Sequence, residues 1–136
     1  MKYSITLIEE KLTTFTIKFI YPLLKEITGG IKMFVTFVQN NSGGYYIQNK
    51  DVDVFVIIEG KSLEDILNKA KDVFGEYRQY CRCCGERWDD DLTTEEDLDE
   101  EPMIFDESVY NVTDSYYKGS KVIIYKLDGA KEIIEI

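Results

Sequence analysis

Five consecutive residues, Val54-Phe55-Val56-Ile57-Ile58, constrain this chain more than any other feature in it. All five are β-branched or aromatic, and no polar residue alternates with them. A strand of this kind needs apolar cover on both faces, so it belongs at the centre of a sheet. A change of period follows at once. Ser62 stands where a helix N-cap should, with Asp65 three residues on. Leu63, Ile66, Leu67, Ala70, Val73 and Phe74 then fall on one helical face, and Gly75 is placed to end the helix. A buried strand running into an amphipathic helix over 62–74 is the nucleus of an α+β fold.

The other strands are read outward from this nucleus. Phe34, Val35, Phe37 and Val38 predict a strand over 33–39. Turn residues at 40–44 lead to a second strand over 45–48, and Asn49-Lys50-Asp51 leads to the central one over 53–59. Near the C-terminus, Val122-Ile123-Ile124-Tyr125 and Ile133-Ile134 flank Asp128-Gly129, a hairpin signal. The expectation is a small mixed or antiparallel sheet with one main amphipathic helix packed on one face. A C-terminal β-hairpin completes it, with Trp88 against the sheet edge.

Residues 1–32 read differently from the rest. Tyr3, Ile5 and Leu7, then Phe15, Ile17 and Phe19, alternate with polar residues and suit two strands. Gly29-Gly30-Ile31-Lys32-Met33 also looks like a translated ribosome-binding site followed by a start codon. On that reading 1–32 is an N-terminal extension, Met33 is the candidate start, and 33–136 is the single domain. The alternative is an ordinary Gly-Gly turn.

Several functions are disfavoured by what the chain lacks. It has no histidine, which removes the usual general base, the Ser-His-Asp and Cys-His arrangements and the commonest metal ligand. An enzyme is therefore not expected. A net charge of −10 repels nucleic-acid phosphates, and no basic cluster offsets it. No stretch approaches the roughly 20 apolar residues of a membrane span. The three cysteines lie within four positions and cannot form a disulfide framework, which points to a reducing cytoplasm.

Two motifs remain. In Cys81-Arg82-Cys83-Cys84-Gly85-Glu86-Arg87-Trp88, clustered thiolates suit zinc. Cys81, Cys83 and Cys84 would need a carboxylate or a second chain to complete a tetrahedron. They could equally be small apolar groups beside Trp88, or a thiolate activated by Arg82 and Arg87. In Gln39-Asn40-Asn41-Ser42-Gly43-Gly44, successive turn residues can aim N–H groups inward as an anion nest, or can simply turn the chain. A third feature, the Asp- and Glu-rich stretch at 89–107, reads as an acidic loop with Met103-Ile104-Phe105 as an apolar anchor. The numerous tyrosines could stack on a flat ligand, line an interface or fill the rim of a small core.

Together, the 39–44 loop after a short strand and the Cys81–Trp88 motif after a helix resemble a family of small, functionally uncharacterised bacteriophage proteins. The resemblance spans roughly residues 33–88. It implies a phage accessory product acting in the bacterial cytoplasm, and it lends no activity. The leading expectation is a non-enzymatic binding protein for host takeover or counter-defence. Its small anionic ligand, such as a nucleotide, would sit at Gln39, Asn40, Asn41, Ser42, Gly43 and Gly44 with Arg82 and Arg87 nearby. The alternative is a zinc-holding structural domain that docks on a host protein through its acidic loop.

Overall fold

The structure is a computed structural model in which residues 33–89, 98–112 and 117–136 are described. They fall in one compact unit spanning 32–136. The strands expected near Tyr3 and Phe15, and the question of a start at Met33, lie outside the described residues. The elements run β1 (Met33–Gln39), β2 (Phe55–Gly60), α1 (Leu63–Phe74), β3 (Tyr80–Cys81), β4 (Gly85–Glu86), β5 (Trp88–Asp89), β6 (Met103–Ile104), β7 (Glu107–Ser108), β8 (Lys121–Tyr125) and β9 (Lys131–Glu135).

The main sheet has the order β5-β1-β2-β8-β9. β1 pairs with β2 and with β5 antiparallel, β2 with β8 parallel, and β8 with β9 antiparallel. The sheet is therefore mixed. Because the side chains of a strand alternate, β2 feeds two cores. Val56 and Ile58 join Val35, Phe37, Ile66, Ala70, Phe74 and Trp88 on one side. Phe55 and Ile57 join Phe34, Ile104, Val109, Val122 and Ile124 on the other. All four of these β2 side chains are fully buried. Each such burial contributes about 1.5–3 kcal/mol, which is why the run at 54–58 has no polar interruption.

Helix α1 starts as its sequence predicts. The Ser62 hydroxyl accepts from the Asp65 N–H (3.1 Å), and the Asp65 carboxylate accepts from the Lys61 N–H (2.9 Å). The Lys61 bond, more than the neighbouring lysine side chains, lowers the Asp65 pKa. Gly75 ends the helix as the sequence predicts, with a right-handed backbone (φ −48°, ψ −50°). Among the described residues no helix is long and apolar enough to cross a membrane.

The C-terminal hairpin forms with Tyr125 opposite Lys131. Its turn is closed by the Lys126 N–H to the Ala130 carbonyl (2.8 Å). Two expectations need correction. The strand over 45–48 is absent: Ile47, within that stretch, bonds the Gln39 side chain through both its N–H and its carbonyl. The stretch at 89–107 is not one loop either. Asp99 exchanges two backbone hydrogen bonds with Phe34 (2.9 and 3.0 Å), β6 pairs with β7, and Ile104 enters the core. Residues 90–97 lie outside the described residues.

Candidate functional site: a cysteine hairpin clasped by a buried arginine

β1 ends at Gln39, and the chain then turns through Ser42–Gly44 in one 3-10 turn. Gly43 and Gly44 both take positive φ (76° and 85°), a conformation that costs little only without a Cβ. On the far side of the sequence, β3 and β4 make a small hairpin in which Cys81 faces Gly85 and Tyr80 faces Glu86. Its three turn residues are Arg82, Cys83 and Cys84, and Gly85 (φ 75°) closes the turn. The chain then enters β5. Gln39 pairs with Trp88 there, so the loop and the hairpin meet at this sheet edge.

What joins them is Arg87. Its side chain is fully buried. Nη1 donates to Gln39 Oε1 (3.1 Å), the Asn40 carbonyl (3.3 Å) and the Tyr45 carbonyl (3.0 Å). Nη2 donates to the Ser42 carbonyl (2.8 Å) and Gln79 Oε1 (2.8 Å). The guanidinium lies under the Tyr45 ring, 4.8 Å from its centre. Nε has no hydrogen-bond partner among the described residues. No carboxylate pairs with Arg87 among the described residues. A buried cation is thus solvated by five oxygen dipoles and a ring face, in place of a counter-ion.

Gln39 is the second clasp. Its Oε1 accepts from the Ile47 N–H (2.6 Å) as well as from Arg87, and its Nε2 donates to the carbonyls of Ile47 (2.9 Å) and Asp53 (3.0 Å). All of its polar capacity is used. The carboxamide presents one donor and one acceptor to Ile47, as a neighbouring strand would, which is why 45–48 needs no strand partner.

The three thiols converge on the hairpin turn. Their sulfurs all lie within 4.8 Å of one another. Cys81 Sγ is 2.8 Å from Cys83 Sγ, and Cys83 Sγ is 3.7 Å from Cys84 Sγ. Cys83 and Cys84 are exposed, and Cys81 is half-buried. The hydrogen bond from the Cys83 thiol, helped by backbone N–H groups of the turn, lowers the Cys81 pKa to about 6. The same bond raises Cys83 to about 11. Near neutral pH the cluster therefore carries a thiolate at Cys81, which is the species that binds a metal.

The loop reaches this cluster directly. Ser42 Oγ is 3.1 Å from Cys84 Sγ and also bonds Asn40 Oδ1. The Ser42 hydroxyl donates to Asn40 Oδ1, so the Cys84 thiol is the donor to Ser42 Oγ. Asn40 adds a bond from its Nδ2 to the Glu86 carbonyl and one from its N–H to the Arg87 carbonyl (2.8 Å).

The matching sequence family can now be set beside this geometry. Residues 32–135 match a domain of unknown function, DUF7296. The chain belongs to that family. No curated protein and no solved structure matches it.

Within this DUF7296 chain, the sequence-predicted residues sort by what they face. Gln39, Ser42 and Arg87 are buried together, while Asn41, Gly43, Gly44, Arg82, Cys83 and Cys84 are exposed. The polarity at the loop is the reverse of the expected anion nest. N–H groups of Asn40, Ser42 and Gly44 are bonded internally, and the carbonyls of Asn40, Ser42 and Tyr45 point at Arg87. Arg87 is the loop's own ligand. Gln79 and Tyr45 were not singled out as partners from sequence. Their only advance signal was position, since each lies within a few residues of a motif.

Proposed function

We propose that this chain is a non-enzymatic accessory binding protein whose working part is a metal-thiolate hairpin. Cys81, Cys83 and Cys84 hold a zinc ion there. The observation that carries this reading is the convergence of three sulfurs within 4.8 Å on a turn whose base is clasped by Arg87. Zinc–sulfur bonds of about 2.3 Å in a tetrahedron set sulfurs about 3.8 Å apart. The Cys83–Cys84 distance of 3.7 Å already suits such an edge, and the Cys81–Cys83 pair opens by about 1 Å to match. Ser42 Oγ lies 3.1 Å from Cys84 Sγ and orients that ligand.

The nucleotide-binding reading is less well supported, because the N–H groups of Asn40, Ser42 and Gly44 and the Arg87 guanidinium are spent internally. Exposed Arg82 is its remaining cation. The resemblance to phage proteins supports a setting in the bacterial cytoplasm, where reduced thiols persist, and a host protein as the partner. Metal content measured on the full chain purified without chelator tests the reading. One zinc per chain is expected, together with a lower Tm on adding EDTA. A metal-free protein whose Tm ignores both zinc and EDTA would overturn it. A shift in Tm with nucleotides instead would restore the anionic-ligand reading.

A further inference from the structure

The hairpin offers a zinc ion three sulfurs, and zinc in a structural site takes four ligands. The chain has no other cysteine and no histidine. Among the described residues no Asp or Glu joins the cluster of Cys81, Cys83 and Cys84. Among the described residues, one chain therefore leaves the coordination sphere one donor short. Two chains supply six thiolates, the number that two tetrahedral zinc ions need when they share two bridging sulfurs.

The surroundings of the turn suit such a meeting. Cys83 and Cys84 are exposed at its tip. Tyr80, on the same hairpin, is 73% exposed, and Tyr45 and Tyr46, just beyond the 39–44 loop, are 52% and 40% exposed. Tyrosine is enriched in protein interfaces, where a rigid ring covers area at little entropic cost. Tyr45 is also anchored, with its ring over Arg87 and its hydroxyl directed to Gln79 (3.4 Å). The tip thus combines an unfinished metal site with an aromatic collar.

Resting on the zinc reading above, we infer that two copies of this chain join tip to tip across a two-fold axis and share a binuclear Zn2Cys6 cluster. Six sulfurs make eight Zn–S bonds, because each bridging sulfur binds both ions, and every thiol still protonated gives its one proton to the buffer. No electron is transferred. The two-fold is isologous, so the same collar covers the cluster from both sides. Metal also makes self-association favourable for a chain whose −10 charge otherwise opposes it.

Native mass spectrometry and light scattering of the full chain, loaded with zinc under reducing conditions, test this inference. The expected species is a dimer with two zinc ions per two chains. EDTA should weaken the dimer by more than a hundredfold, and Cys83→Ser should do the same. Tyr80→Ala should weaken it while leaving zinc bound. The 113Cd-substituted protein should show one cadmium signal at the shift of a four-thiolate site, because the two-fold makes the two ions equivalent. A zinc-loaded monomer overturns the shared cluster and leaves the zinc reading standing. A dimer that survives EDTA also overturns it, because another face then joins the copies. Failure to bind zinc or cadmium at all removes both. Should Cys83→Ser fail to fold, the EDTA arm on the wild-type chain decides alone.

Discussion

Replacing Arg87 with alanine tests the clasp that organises the site. The guanidinium makes five hydrogen bonds, three of them to backbone carbonyls of the 39–45 segment. In the variant, Gln39 Oε1 keeps its bond from Ile47, and Gln79 Oε1 keeps the long one from the Tyr45 hydroxyl. The carbonyls of Asn40, Ser42 and Tyr45 lose the guanidinium. At about 1–2 kcal/mol for each such acceptor, the gross loss is about 5 kcal/mol. Relief from burying an ion, and water entering the vacated space, offset part of it. A net loss of about 3 kcal/mol remains, which for a domain of this size lowers Tm by about 15 °C. Lysine keeps the charge but not the planar fork, so Arg87→Lys should lose about 2 kcal/mol. Urea unfolding followed by the single tryptophan, Trp88, reads this directly. Its ring stacks on Phe74 at 4.2 Å, next to the substituted residue. Zinc titration against a chromophoric chelator in the same variants should show weaker binding, because the turn loses its base. A loss below about 1 kcal/mol for alanine would refute the clasp, as would lysine behaving like the wild type.

Three further outcomes follow from the same geometry. Gln39→Leu keeps the volume but leaves the N–H and carbonyl of Ile47 without their side-chain partner, so it should lose about 2–3 kcal/mol by urea unfolding. Hydrogen exchange should speed up at 45–48 first. In Gly60→Ala the new methyl would collide with Ile66 Cγ1 and stand 2.9 Å from Asp65 Oδ2, at the tight step from β2 to α1. A loss of about 1–3 kcal/mol is expected, and an unchanged Tm would count against this packing. In metal-free protein, iodoacetamide labelling of Cys81 should rise with pH around a midpoint of about 6, because the Cys83 thiol stabilises the Cys81 thiolate above that pH. Cys83→Ala removes that donor and should move the midpoint up towards that of an ordinary thiol, and peptide mapping of the labelled site distinguishes the two.

Much of the fold is legible because its signals are local. The period of Leu63–Phe74, the Ser62 cap and the Asp128-Gly129 turn depend on residues a few positions apart, and the structure shows each in place. The continuous run at 54–58 announces a strand buried on both faces, and both cores form there. The stretch over 45–48 misleads because Tyr45-Tyr46-Ile47 has the composition of a strand. Its partner is the Gln39 carboxamide eight residues earlier, and no periodicity encodes a side chain that substitutes for a strand. The anchor at Met103–Phe105 is visible, but its pairing into β6 and β7 and its contact with Thr36 are long-range.

The same division holds at the site. The sequence by itself determines the ligand chemistry: three thiols in four positions, no histidine, and two glycines that let the 39–44 loop turn tightly. Only the tertiary structure decides which way the polar groups point. An arginine one residue before Trp88 can as easily face solvent as the interior. Arg87 faces inward because β5 joins the sheet beside Gln39, where carbonyls 42–47 residues away in sequence converge on it. Charge and hydrogen-bonding capacity belong to a residue, whereas burial and partners arise only when distant segments close around it. That closure turns two separate motifs into one clasped hairpin.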